Sequence, residues 1–119
     1  MANIPSRKRY DLEDRTYIFT KRVIEYVNRL HKTVSSIEIG KQLVRSAGSV
    51  GANYIEANEA LSKKDFMMRI KISRKEAKES SYWLRLTEAK EDIANERDAL
   101  VQESTELTKI FSAILEKSK

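Results

Sequence analysis

The chain has no cysteine, one histidine and one proline, and these scarcities exclude several classes of protein. Without cysteine there is neither a disulfide framework nor a thiolate metal site, which favours a reducing compartment. Because His31 is the single histidine, the Glu-x-x-His pairs of a di-iron bundle are missing. No residue spacing indicates general acid–base or nucleophilic catalysis. We therefore expect a protein that is not an enzyme, with no catalytic residues, no metal site and no cofactor.

Long apolar segments are also missing. No run approaches the ~20 apolar residues that a membrane-spanning helix requires, and no apolar core follows the basic N-terminus to form a signal peptide. The sequence thus predicts a cytoplasmic protein. A length of 119 residues with 40% hydrophobic residues fits a single folded domain.

Apolar residues recur at alternating steps of four and three, which is the period of an amphipathic helix. The organising stripe contains Leu43, Ala47, Val50, Tyr54, Ala57 and Leu61. A stripe before it contains Leu12, Thr16, Phe19, Val23, Tyr26 and Leu30. Two stripes after it have the same spacing: Phe66, Ile70, Ser73, Ala77, Ser80 and Leu84, and then Leu100, Ser104, Leu107, Phe111 and Ile114. We predict helices over about 11–31, 37–61, 63–90 and 95–117, after a flexible basic arm at 1–10. Short connections favour an all-α, antiparallel up-down-up-down four-helix bundle.

Residues that favour helix N-termini precede each predicted helix. We expect the caps to be Asp11 for the first helix, Ser35 or Ser36 for the second, Ser62 for the third and Asn95 for the fourth. The boundary between the last two helices has no glycine or proline, so its position depends on the change of stripe phase after Leu84.

The three glycines of the chain all fall on the central helix, where each costs about 1 kcal/mol relative to alanine. The simplest compensation is the close approach of another backbone, either within the fold or between copies of the chain. We therefore predict a central helix that is covered on most sides. Its helix-packing or oligomer contacts would be Gly40, Val44, Gly48, Gly51 and Ile55.

Polar residues lie beside the core stripes of the second and third helices. A buried carboxylate requires a partner, which Arg45 or Arg74 can supply. We expect a structural network that sets helix register or subunit contacts and consists of Arg45, Asn53, Glu56, Glu76 and Glu79.

Basic charge is concentrated on the third helix. The net charge of the chain is +5, and residues 63–78 carry seven cations against two anions. One series at helical spacing, which we call the basic stripe, contains Lys64, Lys71, Lys75, Lys78, Tyr82 and Arg85. It is either an ordinary solvated face or a surface for phosphate backbones, with Tyr82 available for stacking. Trp83 fits a core or interface position better than a stacking platform. A second set of candidate phosphate contacts lies on the first helix: Arg15, Lys21, Arg22 and Arg29.

Several motifs together resemble a known family. They are Asp11-Leu12-x-x-Arg15-Thr16, Gly40-x-Gln42-Leu43-x-Arg45-Ser46, Ser49-Val50-Gly51-Ala52-Asn53-Tyr54-x-Glu56-Ala57, Lys75-Glu76-Ala77-x-Glu79 and Tyr82-Trp83-Leu84. With them the chain resembles, over nearly its whole length, the 23S rRNA intervening-sequence protein family, also called the four helix bundle protein family. It departs from the family at Lys90-Glu91, where a glycine is usual between the last two helices.

The resemblance implies an antiparallel bundle that assembles into a ring-shaped homopentamer and is encoded within an insertion in a bacterial 23S rRNA gene. It also implies kinship with the accessory variability determinant proteins of diversity-generating retroelements, which bind nucleic acid and a reverse transcriptase. Our leading hypothesis is a non-enzymatic, homo-oligomeric bundle that binds RNA or another nucleic acid. The alternative is a protein-interaction scaffold for a polypeptide such as a reverse transcriptase.

Overall fold

The computed structural model describes residues 6–119, with side chains from Asp11 onward. This part of the chain forms four helices and no strand: α1 (Ser6–Arg29), α2 (Val34–Asn58), α3 (Lys63–Leu86) and α4 (Glu91–Lys117). Helix α2 packs against α1 and α3, and α4 packs against α3 and α1. Short connections make successive helices antiparallel, and the bundle measures 45 × 22 × 19 Å. The predicted all-α four-helix fold is confirmed.

The core is built from the predicted stripes. Every member of the α1, α3 and α4 stripes is buried, including the hydroxyl residues Thr16, Ser73, Ser80 and Ser104. In the middle of the bundle the rings of Tyr54 and Phe111 lie 6.0 Å apart. The exception is Leu61, which is 96% exposed because α2 ends at Asn58, before the stripe is complete. None of the helices in residues 6–119 is both long and apolar enough to cross a membrane.

The start of α1 differs from the prediction. Residues 1–5 of the expected arm lie outside the described residues, whereas residues 6–10 already form helix. Asp11 is therefore inside α1 and is not its N-cap. The first member of the α1 stripe is Leu12, and an apolar period does not show whether a helix begins before its first member.

The start of α2 also lies earlier than predicted. Thr33 is the N-cap, and its Oγ1 accepts a hydrogen bond from the Ser36 backbone N–H at 3.1 Å. In return, Ser36 Oγ accepts from the Thr33 backbone N–H at 2.9 Å. This reciprocal pair is a capping box in which Ser36 takes the place usually held by glutamate. Neither Ser35 nor Ser36 is the cap itself.

The predicted N-cap is correct for α3 and wrong for α4. Ser62 caps α3 as predicted, with its Oγ accepting from the Asp65 backbone N–H at 3.1 Å. Helix α4 begins at Glu91, and its N-cap Lys90 makes no side-chain capping bond. Asn95 lies inside the helix. Glu91 and Asp92 stabilise this first turn, because negative charge there complements the helix dipole.

The three glycines of α2 have different surroundings. A Cβ built on Gly40 would lie 2.9 Å from Val27 Cγ1, and one on Gly51 would lie 3.0 Å from Thr16 Oγ1. These two glycines therefore allow α1 to pack closely on α2. A Cβ on Gly48 would meet nothing within 4 Å, and Ile55 is half exposed. Within the described chain, α1 and α3 pack against α2 and leave the face around Gly48 without a close neighbour. The predicted cover of this face by another copy of the chain stays a prediction.

Candidate nucleic-acid interface

The basic stripe lies on the solvent side of α3. The opposite side of this helix carries the buried stripe from Phe66 to Leu84, which directs the intervening positions outward. All six stripe residues are exposed. From Lys64 to Arg85 the stripe extends about 32 Å, at 1.5 Å per residue.

The cations of the stripe have no acidic partner in the described part of the chain. No ion pair joins Lys64, Lys71, Lys75, Lys78 or Arg85 to any carboxylate there. Their charge is therefore not neutralised locally, and each ammonium or guanidinium group can reach a phosphate oxygen without breaking an existing pair.

The two aromatic residues at the end of the stripe have different environments. The Tyr82 side chain is 56% exposed, and its ring meets the edge of the Trp83 ring at a centroid distance of 5.0 Å. Trp83 is half buried against the core, and its Nε1 donates to Glu79 Oε1 at 3.2 Å. Trp83 thus holds a packing position, whereas Tyr82 presents a supported ring to solvent.

Three arginines of α1, Arg15, Arg22 and Arg29, form ion pairs with carboxylates of α4. Arg15 donates from Nε and Nη2 to the two carboxylate oxygens of Glu103 at 2.7 and 2.8 Å. Arg22 bonds Glu96 in the same manner at 3.0 and 2.9 Å. Arg29 Nη2 lies 3.6 Å from Asp92 Oδ2.

These contacts change what the arginines can do. The hydrogen bonds that Arg15 and Arg22 donate to their carboxylate partners raise the pKa of each guanidinium above its usual value, despite an opposing effect of burial. Their side chains are committed to the α1–α4 contact, so phosphate binding would have to break these pairs. Lys21 is the one member of the α1 set without a carboxylate partner in the described residues; its Nζ lies 6.0 Å from the centre of the Tyr17 ring.

The predicted polar network exists in part. Arg45 on α2 forms an ion pair with Glu79 on α3, and its Nη1 lies 3.5 Å from Glu76 Oε2. The Glu76 residue is only 6% exposed, and its second oxygen, Oε1, has no hydrogen-bond partner in the described residues. This cluster joins the outer edges of α2 and α3.

Asn53 belongs to a neighbouring set of contacts. Its Oδ1 accepts from Arg69 Nη1 at 3.2 Å, and its Nδ2 donates to the Ser49 carbonyl at 2.9 Å. Glu56 is exposed, and no ion pair or side-chain hydrogen bond joins it to the described residues. Within this part of the chain it therefore makes none of the contacts that the predicted network requires.

Buried hydroxyls were a signal that sequence reasoning did not use. Ser46 Oγ and Ser80 Oγ lie 2.9 Å apart between α2 and α3, and Ser73 Oγ donates to the Val50 carbonyl at 2.9 Å. Small residues at these core positions let the two helices approach closely and still satisfy each buried hydroxyl. Serine within an otherwise apolar stripe was the available sign.

Metal chemistry finds no support in residues 6–119, where no group of three or more His, Cys, Asp or Glu side chains is placed to hold an ion. The arrangement that this part of the chain does offer is an unneutralised basic surface on one helix, beside seams whose charges are internally paired.

The comparisons with known proteins agree with this architecture. Residues 8–113 match the family described as 23S rRNA-intervening sequence protein. The chain belongs to the 23S rRNA intervening-sequence protein family. The crystal structure of a protein of unknown function from the S23 ribosomal protein family of Bacteroides thetaiotaomicron is similar to it, with 32% sequence identity and a TM-score of 0.80. The similarity covers 92% of this chain and 98% of the other. No functionally curated protein matches.

Most motif residues of this intervening-sequence protein have packing roles. Gly51 accommodates α1, Tyr54 fills the core, and Arg45, Glu76 and Glu79 join α2 to α3. Of the motif residues on α3, Lys75 and Tyr82 lie on the basic stripe. Membership of the family therefore describes the fold more directly than it describes the chemistry of the outer surface.

Proposed function

We propose that this intervening-sequence protein is a non-enzymatic, homo-oligomeric protein that binds RNA through the basic stripe of α3. The observation that carries the proposal is a contrast between two groups of cations. Arg15, Arg22 and Arg29 each have a carboxylate partner, whereas none of the five stripe cations has one in the described residues. Unneutralised cations along one face attract a phosphate backbone through counterion release.

The extended shape of the stripe favours backbone contacts without sequence reading. Cations spaced over about 32 Å of a straight helix can follow successive phosphates. Tyr82 adds one exposed ring on which an unpaired base can stack. Lys21 is the remaining candidate on α1.

Assembly would multiply this charge. The large hydrophobic side chains that are exposed in the described chain occur on α1, α2 and α3 and in the α2–α3 turn, whereas α4 has none. Because the basic stripe occupies the outer face of α3, this asymmetry supports copies packing through α1 or α2 while α4 faces solvent. The family resemblance suggests a ring of five copies, which would place several basic stripes around one particle.

A titration of a structured 23S rRNA fragment, followed by fluorescence anisotropy at low and moderate salt, tests the proposal. The variant Lys71→Gln/Lys75→Gln/Lys78→Gln should bind at least about tenfold more weakly, and its salt slope should fall by about two to three. The matched control is Lys32→Gln/Lys109→Gln/Lys117→Gln, which removes the same charge from exposed sites off the stripe. Equal losses in both variants, or binding that ignores salt, would contradict a specific role for α3.

Light scattering tests the assembly separately. We expect a particle of about five times the 13.8 kDa chain mass. A monomer would contradict the oligomer. Negligible RNA affinity at physiological salt, with the oligomer intact, would instead favour the scaffold alternative.

A further inference from the structure

The beginning of α3 carries exposed apolar side chains that phosphate binding does not explain. Leu61, in the turn before the helix, is 96% exposed, and Met68 in the second turn is 50% exposed. Met67 is half buried and packs against the core. Neither a thioether nor an aliphatic side chain can donate a hydrogen bond to a phosphate.

These methionines line an open groove. It has a volume of about 690 Å³, and its walls include Met67, Met68 and the lysines Lys63, Lys64 and Lys71. The volume lies within the range of sites that take small ligands or several side chains. We call it the end groove.

The charge around the end groove is mostly positive. Its lining contains three lysines and a single carboxylate, that of Asp65. No ion pair joins these lysines to a carboxylate in the described residues. The groove therefore has an apolar floor with a basic rim, and the complementary ligand is apolar and acidic.

We propose that the end groove binds an acidic, apolar segment of a partner polypeptide. Leucine or phenylalanine side chains of the segment would lie between Met67 and Met68, because flexible thioethers adapt to ligands of different shape. Its carboxylates would pair with Lys63, Lys64 and Lys71. An amphipathic helix laid along the first turns of α3 presents both groups at the required spacing.

This interaction goes beyond the proposed RNA binding. The peptide surface and the RNA surface share some residues but are not the same. Lys64 and Lys71 belong to both surfaces. Met67 and Met68 of the end groove, with Leu61 beside its lining residue Ser62, serve the peptide alone. Lys75, Lys78 and Arg85 serve the RNA alone. Peptide and RNA should therefore compete for one end of the stripe.

The test uses a fluorescein-labelled synthetic amphipathic peptide of leucine and glutamate, titrated with the full chain and followed by anisotropy. Two control peptides replace all leucines by serine or all glutamates by lysine. We expect the acidic leucine peptide to bind at least about tenfold more tightly than either control. Equal binding of all three peptides, or no binding of any, would overturn the proposal.

Protein variants then separate the two surfaces. Leu61→Ser/Met68→Ser should weaken peptide binding by about tenfold and leave RNA binding within about twofold. Ala99→Ser/Ala113→Ser, which places the same polar side chain at two exposed apolar positions of α4, is the matched control and should alter neither. Lys75→Gln/Lys78→Gln should weaken RNA binding and spare the peptide.

The outcomes distinguish this proposal from the RNA proposal. If Leu61→Ser/Met68→Ser weakens RNA binding as much as peptide binding, the end groove belongs to the nucleic-acid surface and the polypeptide assignment is wrong. If RNA fails to bind while the peptide results hold, only the RNA proposal is lost. Helical circular dichroism of each variant confirms that the bundle is intact.

Discussion

Arg22 on α1 and Glu96 on α4 are joined by two parallel hydrogen bonds, with Nε 3.0 Å from Oε2 and Nη2 2.9 Å from Oε1. Arg15 and Glu103 form the same arrangement one heptad earlier on α1. Bidentate pairs fix geometry as well as charge. They therefore align α1 with α4 in one antiparallel register.

The Arg22–Glu96 pair should contribute modestly to stability. The two side chains are 35% and 32% exposed, so solvent screens part of their attraction. A double-mutant cycle with Arg22→Gln and Glu96→Gln should give a coupling free energy of about 0.5–1 kcal/mol in urea unfolding. It should diminish at about 1 M salt. The exposed Lys41–Glu38 pair serves as the control and should give less; equal coupling in the two cycles would argue against an aligning role.

Alanine substitutions at two glycines of α2 should have opposite effects. Gly48→Ala should stabilise the folded chain by about 0.5–1 kcal/mol, because the added methyl group meets nothing and alanine favours helix. Gly51→Ala should destabilise it by about 1–3 kcal/mol. Its Cβ would lie 3.0 Å from Thr16 Oγ1, a hydroxyl already bonded to the Leu12 carbonyl. Urea unfolding measures the change in unfolding free energy of each variant, and light scattering checks that its particle mass is unchanged. Changes of the same sign would contradict the different surroundings assigned to Gly48 and Gly51.

The cap of α2 can be tested against its neighbour. Thr33→Ala removes the acceptor for the Ser36 backbone N–H and should cost about 1 kcal/mol of unfolding free energy. Ser35→Ala removes only a 3.3 Å contact between hydroxyls and should cost less than about 0.5 kcal/mol. Thermal unfolding measures the stability of the two variants. A larger loss of stability for Ser35→Ala than for Thr33→Ala would show that Thr33 is not the cap.

Tyr26 should make stability depend on alkaline pH. Burial raises the pKa of its phenol above the usual 10.0, partly opposed by the 2.6 Å hydrogen bond to Thr87 Oγ1. A raised pKa in the folded state means that this contribution is complete below the pKa of the unfolded chain and is lost as pH rises through the folded value.

The comparison with Tyr26→Phe isolates that effect. The variant should lose about 1 kcal/mol near neutral pH, because Thr87 Oγ1 loses one of its two hydrogen-bond partners and keeps the Leu84 carbonyl. As the pH rises above the usual phenol pKa of 10.0, the difference in unfolding free energy between the natural chain and the variant should shrink. A difference that stays constant over this range would show that the phenol titrates alike in the folded and unfolded states.

The periodic stripes predicted the helices and their inward faces because burial of one side depends on spacing that is local in the sequence. From Leu12 to Leu30 and from Phe66 to Leu84, each position in the stripe is buried as expected. Helix ends were less predictable. The expected cap of α2 was Ser35 or Ser36, and the backbone path instead selects the neighbouring hydroxyl residue Thr33.

The amino-acid sequence by itself determined four amphipathic helices, their order and the concentration of positive charge on α3. Tertiary structure alone decided which of the cations remain free. Arg15 and Glu103 are 88 residues apart, and only the packing of α1 on α4 brings them within hydrogen-bonding distance. The packing of α1 on α2 gives Gly40 and Gly51 a neighbour and leaves Gly48 without one. Long-range pairing depends on how the helices are arranged in space, and no local spacing of residues encodes it.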